Sequence, residues 1–326
     1  MTEIDDCEWI KDRITIKIRL GEIILWRPSY DGIWCNMDIF SLPPFSPITA
    51  PIENMGKENV QVAYAYSCPL SPPVRRLTKI GNILCLVESI YKHFYVETKG
   101  DFQQYLAGKN KKTISTLQRK SRKIDKSNKQ LCTFKVYSSP EEFEEFFKLA
   151  LPISEKSFQH VLFGRGLPNT QQFKEDVMRK SQKGEVLGYI LRVQDKPVAY
   201  NFCPVLNGNV VLYDESGYDP DYSKYSPGSV LQFKIIEDLF GREGVDYYDL
   251  CTGEGVHKKI FATGYVSCGN IFFCSSTPKY LVILSLKMAL ILLTESIKKL
   301  LKVIGQEERI RACKKFIRKN IIRRSV

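Results

Sequence analysis

The sequence predicts an α+β protein with a mixed sheet, and three observations carry that prediction. Between residues 184 and 219 three β-rich runs, VLGYILRV, PVAYNFCPV and NVVLYDE, are joined by short turns at Gln194-Asp195-Lys196 and Asn207-Gly208, the pattern of an antiparallel meander. Beyond it, a helix to about Phe240, a strand VDYYDLC (245–251), a short helix from Val256 and a strand GNIFFCSS (269–276) alternate. The composition, 44% hydrophobic and 26% charged over 326 residues, is that of a soluble globular chain with room for one large domain or two small ones.

Taken in order, residues 1–100 read as short strands and turns: ITIKIRL (14–20), EIILWR (22–27), VQVAYAY (60–66) and ILCLVES (83–89), with a Pro-rich loop at 41–51. Asp101 to Leu131 has helical spacing, with Asp101 as N-cap, and Phe134 to Tyr137 is a short strand. Ser139-Pro140-Glu141-Glu142 opens a second helical region (141–183) with a cap, a proline at the first helical position and acids in the first turn. A boundary between two halves is placed near residue 140. After the meander comes a tyrosine-rich loop, Gly217 to Tyr225; Ser226 then caps a helix that begins at Pro227 and is stopped by Gly241 and Gly244.

The net charge of +12 is unevenly spread. Lys109 to Lys129 holds nine Lys or Arg against Asp125, and Thr294 to Val326 holds eleven against Glu295, Glu307 and Glu308. Each stretch nets +8, so the remaining chain nets −4, unlike a nucleic-acid-binding fold whose basic charge covers its folded face. Such segments suit an anionic membrane, nucleic acid or a phosphate-bearing cofactor; solvated helix faces are the plainer reading. From Leu281 to Leu293 the chain is apolar apart from Ser285 and Lys287, short of the ~18 uncharged residues of a spanning helix. It continues amphipathically, with Leu286, Leu290, Leu293, Ile297, Leu300, Leu301 and Ile304 on one side and Lys298, Lys299 and Lys302 opposite. Both a helix lying in a membrane interface and one packed on the protein body fit that pattern.

The ten cysteines are scattered, the two nearest (Cys268 and Cys274) lie six apart, and only His93, His160 and His257 accompany them. A disulfide framework and a tetrahedral metal site are therefore not expected. The acidic start, MTEIDDCEWIKDR, lacks an apolar leader core, which points to reduced thiols in a cytosol.

Tyr225-Ser226-Pro227-Gly228-Ser229 is the most informative junction. A helix start presents unpaired N–H groups and the positive end of its dipole, and Gly228 admits a phosphate to the backbone. The strings VLYDESGYDPDYSKYSPGSVLQFKIIEDLF and VDYYDLCTGEGVHKKIFATG, with KSFQHVLFGRGL (156–167), GYILRVQDKPVAYNF (188–202) and STLQRKSRKIDK (115–126), resemble the acyltransferase core of the CelD/BcsL-like branch of the GNAT superfamily. That branch is related to FemAB-type aminoacyl transferases, and the likeness covers roughly 100–275. It implies a GNAT fold, with two GNAT-like units in tandem: a half with the basic helix (1–140), an acyl-CoA-binding domain (141–278), and a basic amphipathic helical tail (279–326). By position, Tyr225, Ser226, Pro227, Gly228 and Ser229 hold the pyrophosphate of acetyl-CoA or another acyl-CoA, although the usual Q/R-x-x-G-x-G/A signature is reduced to one glycine.

The reaction implied is attack of an amine or hydroxyl on a thioester, needing a base, an oxyanion donor and an acid for the thiolate. Candidate bases are Asp214, Glu215, Asp249 and His257. His257 has the natural pKa; Asp249 and Lys258 match the family position, with His257 where relatives carry a tyrosine. A backbone amide near Tyr213–Glu215 is the oxyanion donor, and Tyr218, Tyr222 or Tyr225 the acid; Cys251 lacks a nucleophile's setting. The acceptor implied by the resemblance is an amino sugar or cell-envelope precursor, met by a cytoplasmic enzyme peripheral at the inner membrane face. A FemAB-like transferase using charged tRNA and a non-catalytic membrane-associated scaffold are the alternatives.

Overall fold

Alternation of side chains along the strands organises both halves of the chain. The computed structural model describes residues 9–21, 23–40, 49–126, 132–157, 160, 166–253 and 255–303. It divides into two units, Met1–Lys92 with Val266–Val326, and His93–Tyr265.

The first unit contains β1 (Ile10–Thr15), β2 (Ile18–Leu20), β3 (Ile23–Trp26), β4 (Ser29–Asn36), α1 (Thr49–Lys57), β5 (Val62–Pro69), β6 (Leu77–Ile80) and the start of β7 (Ile83–Glu97). β1 lies antiparallel to β4, β4 parallel to β5, and β6 antiparallel to β7, while β2 and β3 form a separate hairpin. Val62 and Tyr64 of β5 with Leu84 and Leu86 of β7 face one core cluster; Ala63, Ala65, Cys85 and Val87 face another. That period of two buries both faces of the sheet.

The second unit begins within β7 and continues through α2 (Phe102–Ala107), α3 (Lys111–Lys126), β8 (Cys132–Tyr137), α4 (Pro140–Lys156), α5 (Gln171–Gln182), β9 (Val186–Val193), β10 (Lys196–Leu206), β11 (Val210–Leu212) and β12 (Glu215–Tyr218). A 3₁₀ turn (Pro220–Tyr225), α6 (Pro227–Phe240), β13 (Tyr247–Asp249) and α7 (Val256–Phe261) follow. β14 (Gly264–Ser275) leads back to the first unit, where it pairs antiparallel with β5 and is followed by α8 (Pro278–Val303). The meander forms as read: β8, β9 and β10 are antiparallel, and both turns are left-handed at two residues, Gln194 and Asp195 (φ 52° and 60°), then Asn207 and Gly208 (φ 50° and 73°). Phe143, Phe146 and Phe147 of α4 cover one face of this sheet, and α6 covers the other with Tyr105, Ile114 and Leu117.

Three expectations change. The helix read over 101–131 is two helices: Asp101 caps α2 by accepting from Gln104 N–H at 2.9 Å, and the chain breaks at Gly108–Asn110 before α3. The capping box at Ser139 is present, yet it marks a helix start within a unit rather than a boundary near 140, because Ile114 and Leu117 of the basic helix pack with α6. The segment from 279 is no separate tail, because Tyr280, Ile283 and Leu284 of α8 belong to the first unit's core. The Pro-rich residues 41–48, residues 127–131, most of 158–165 and the basic stretch 304–326 lie outside the described residues.

Candidate active site

The site forms where two parallel strands part. β11 and β13 are paired from Val210↔Tyr247 to Leu212↔Asp249, and Tyr213 N–H donates to the Asp249 carbonyl at 2.8 Å. Past that point β12 stays with β10, from Phe202↔Glu215 to Ala199↔Tyr218, while β13 turns away through Cys251 (φ 58°) and Gly253 (φ 100°). A cavity of about 330 Å³ lies beside β12, walled by Tyr200, Asn201, Tyr213 and Tyr218 and closed by Ser226–Ser229 and Gln232 of α6.

The predicted turn lines this cavity, but it works differently from the cap expected of Ser226. Ser226 is left-handed (φ 55°, ψ 51°) and its side chain does not cap α6; its carbonyl instead accepts from Ser229 N–H and Val230 N–H at 3.0 and 3.1 Å. Pro227 has no N–H, so the amide left at the helix start is that of Gly228. A Cβ on Gly228 would stand 3.5 Å from Tyr218 Cδ1, an ordinary contact, whereas one on Gly217 would meet Tyr200 Cε1 at 2.6 Å. Deeper in, Gln232 is 2% exposed and its Nε2 has no hydrogen-bond partner. Buried Asn201 donates to the Tyr248 hydroxyl at 3.3 Å, and the Ser216 hydroxyl donates to Tyr213 Oη at 2.9 Å. Donors, hydroxyls and a helix dipole thus converge on a space suited to an anionic, acceptor-rich ligand. Tyr225 lies outside the cavity lining and packs on the core.

A second group of polar side chains surrounds the point of parting. His93 Nε2 lies 2.5 Å from Asp249 Oδ1, which also accepts from Cys251 N–H at 2.7 Å. Buried Lys258 donates to the carbonyls of Cys251 and Thr252 at 3.2 and 2.6 Å, and burial lowers its pKa. Asp214 is exposed, yet desolvation by the protein packed round its carboxyl raises its pKa above the ordinary range. Burial pushes the Cys251 thiol well up and keeps it protonated, which removes it as a nucleophile. Asp249, Lys258 and Asp214 therefore border one junction, Glu215 sits on β12 opposite Phe202, and the side chain of His257 lies outside the described residues. His93 was not read from the sequence. Only the antiparallel register of β13 on β7, Asp249↔Tyr95, brings it to Asp249.

Residues 111–259 match the family model described as an acetyltransferase (GNAT) domain. Among solved structures, FemX shares 9% identity over 85% of this chain and 90% of its own, with a TM-score of 0.50. A conserved protein of unknown function from Bacteroides thetaiotaomicron VPI-5482 shares 12% over 83% and 84%, with a TM-score of 0.50. A C-terminal domain described as that of a lysylphosphatidylglycerol synthetase from Agrobacterium fabrum shares 13% over 86% and 87%, with a TM-score of 0.48. No curated protein matches the sequence. At these identities the structures speak to fold alone, and the parting strands followed by an anion-ready helix start lie inside the matched segment. The chain carries, over residues 111–259, a GNAT acetyltransferase domain.

Proposed function

We propose that this protein is an acyltransferase that moves an acetyl or other acyl group from acyl-CoA to an amine or hydroxyl of an amino sugar or cell-envelope precursor, by direct attack in a ternary complex. The observation that carries the reading is the cavity at the start of α6, where a buried Gln232 amide lacks a partner and the Gly228 N–H stands at the positive end of a 14-residue helix. These residues fit acyl-CoA. Gly228 N–H, with the hydroxyls of Ser223, Ser226 and Ser229 round the cavity, would hold its diphosphate, and Gln232 would donate to an oxygen further along. The donor supplies an activated thioester carbonyl.

The chain's own residues supply the rest. Asp214, raised and solvent-touched at the parting strands, takes the proton of the incoming nucleophile. Asp249 is already engaged by His93 and Cys251 N–H and acts as a positioning residue, while Lys258 fixes the Cys251–Thr252 turn and places a charge beside Asp249. Of the three tyrosines, Tyr218 lines the cavity beside Gly228, whereas Tyr222 and Tyr225 pack on the core, so Tyr218 is the one assigned to contact the donor, at its diphosphate end. The envelope acceptor follows from the resemblance of the 100–275 segment, and with it a place on the cytoplasmic membrane face.

Isothermal titration with acetyl-CoA tests the reading, with Gly228→Asp as its partner variant. Binding by the wild type, abolished by a carboxylate in the cradle, supports it. No binding of acetyl-CoA or longer acyl-CoAs, with steeply salt-dependent binding of tRNA, would move the donor to an aminoacyl-tRNA and make the basic helix α3 its footprint.

A further inference from the structure

The first unit exposes apolar surface that its own packing does not use. In the β2–β3 hairpin, four successive residues of β3 are open: Ile23 67%, Ile24 49%, Leu25 59% and Trp26 50%. Successive strand residues point to opposite faces, so both faces of β3 are wet, a costly arrangement for Ile-Ile-Leu-Trp in a water-soluble surface. Exposed Lys17, Arg19 and Arg27 flank the run. The hairpin is fastened to α8, where Gly21 N–H donates to Thr294 Oγ1 at 3.2 Å and Lys287 Nζ donates to the Lys17 carbonyl at 2.6 Å.

α8 itself carries two apolar faces. Tyr280, Ile283 and Leu284 are buried in the unit's core, and Lys287 is paired there with Glu88 at 2.6 Å. The other face leaves Val282 67%, Leu286 45%, Leu293 47%, Ile297 40% and Leu300 59% exposed, a stripe recurring every three or four residues or their multiples. Pro278–Leu301 is long and apolar enough to cross a membrane by length and composition. Its inner face is nevertheless committed to protein, which leaves the outer stripe to lie along a surface. Exposed Lys298 and Lys299 follow, and residues 304–326 add eight Lys and Arg against two Glu.

We propose that the β2–β3 hairpin and the outer stripe of α8 dock this unit on an anionic lipid bilayer, the hairpin entering the interface at Ile23–Trp26. This extends the membrane-face part of the reading above to a second element, and it does not depend on the acyl donor. Apolar residues rimmed by cations match a surface that is apolar inside and negative at its headgroups. A second copy of the chain fits worse, because a two-fold contact would bring Arg19 and Arg27 against their own like.

Flotation of the full-length protein tests it, using phosphatidylcholine vesicles with and without phosphatidylglycerol. The wild type should float with the anionic vesicles, and Ile24→Glu with Leu25→Glu should bind at least about tenfold more weakly. Replacing Lys17, Arg19 and Arg27 by Gln should weaken the phosphatidylglycerol preference, Lys298, Lys299 and the basic residues 304–326 supplying the remainder. Leu206→Glu, an exposed apolar site in the other unit, should leave binding unchanged, and the melting curves of all variants should match the wild type because each residue is exposed. Equal flotation by the double variant, or none by the wild type, overturns the proposal. So does a dimer in sedimentation that the double variant abolishes without any vesicle binding. Acetyl-CoA titration of the same variants stays at wild-type values, so a failure of docking and a failure of the donor assignment are separately visible.

Discussion

Two glycines of the same cavity should respond to alanine in opposite ways. Gly217 lies in β12 opposite Tyr200, and an added Cβ would sit 2.6 Å from Tyr200 Cε1 and 3.2 Å from Ser157 Cβ. Tyr200 is buried and its hydroxyl donates to Ser154 Oγ at 3.0 Å, so the ring yields only by loosening that bond. Overpacking of this kind costs about 1–3 kcal/mol, and the weakened hydrogen bond about 1 more. For a unit of this size Gly217→Ala should lower Tm by roughly 5–15 °C. Gly228 is different. Its added methyl meets Tyr218 at 3.5 Å without a clash, and in the first turn of α6 alanine gains about 0.5–1 kcal/mol of helix propensity. The methyl would, however, keep a diphosphate away from the only amide left at the helix start, and acetyl-CoA affinity should fall about tenfold, or ~1.4 kcal/mol. Differential scanning calorimetry with isothermal titration on both variants checks the pair. A Gly228→Ala protein that binds like the wild type refutes the cradle, and a Gly217→Ala protein that melts like the wild type refutes the packing.

Three further outcomes follow from buried charges. Glu88→Gln leaves Lys287, 2% exposed, without its carboxylate, and should cost about 3–5 kcal/mol in the first unit's unfolding transition, whereas Lys287→Met should cost less. Burial lowers Lys109 to about 8, so between pH 8 and about 10.5 the unfolded chain binds more protons than the folded one and stability rises with pH. Below pH 8 both states are protonated and that gain is absent; Lys109→Met should therefore lose ground to the wild type as pH climbs through this window, measured by thermal melts at constant ionic strength. Lys258→Met, by freeing the Cys251–Thr252 turn, should reduce kcat for acyl transfer at least about 100-fold while leaving the acetyl-CoA Kd in place. A parallel loss of binding would instead make Lys258 a ligand of the donor.

Much of the fold was readable because its signals are local. Asn207-Gly208 and Gln194-Asp195 dictate left-handed turns wherever the chain places them, and Asp101 and Ser139 cap their helices with their own side chains. Where the reading went astray, a local signal stood in for a tertiary one. Helical spacing over 101–131 predicts one helix, whereas Gly108 to Asn110 separate α2 from α3. Ile114 and Leu117 assign the basic helix to the second unit by packing with α6, a partner more than a hundred residues away that no local pattern announces. α8 posed a choice between lying on a surface and packing on the body, and composition alone leaves both open. Ile283 and Leu284 are buried while Val282 and Leu286 are exposed, so a helix apolar nearly all round divides its faces only once the sheet beneath it exists.

At the site the limit is sharper. The Ser-Pro-Gly-Ser turn announced itself as a helix start, yet the sequence suggests a side-chain cap where the structure has a left-handed Ser226 whose carbonyl, not its hydroxyl, takes the Ser229 amide beside the ordinary first helical bond from Val230. With no N–H on Pro227 and the Ser229 and Val230 amides both bonded to Ser226, the helix start offers the Gly228 amide to the cavity. His93 could not be found at all, because its partner lies 156 residues on and only strand register joins them. Asp249, attractive in sequence as a base, is engaged by His93 and the Cys251 amide, and the raised, exposed carboxyl is that of Asp214 in the link between β11 and β12. A carboxylate already bonded on one oxygen to a buried imidazole and a backbone amide is a good anchor for the turn that follows it. The proposed roles therefore invert the order that motif position favoured, with Asp249 and Lys258 assigned to shaping the junction and the proton assigned to Asp214.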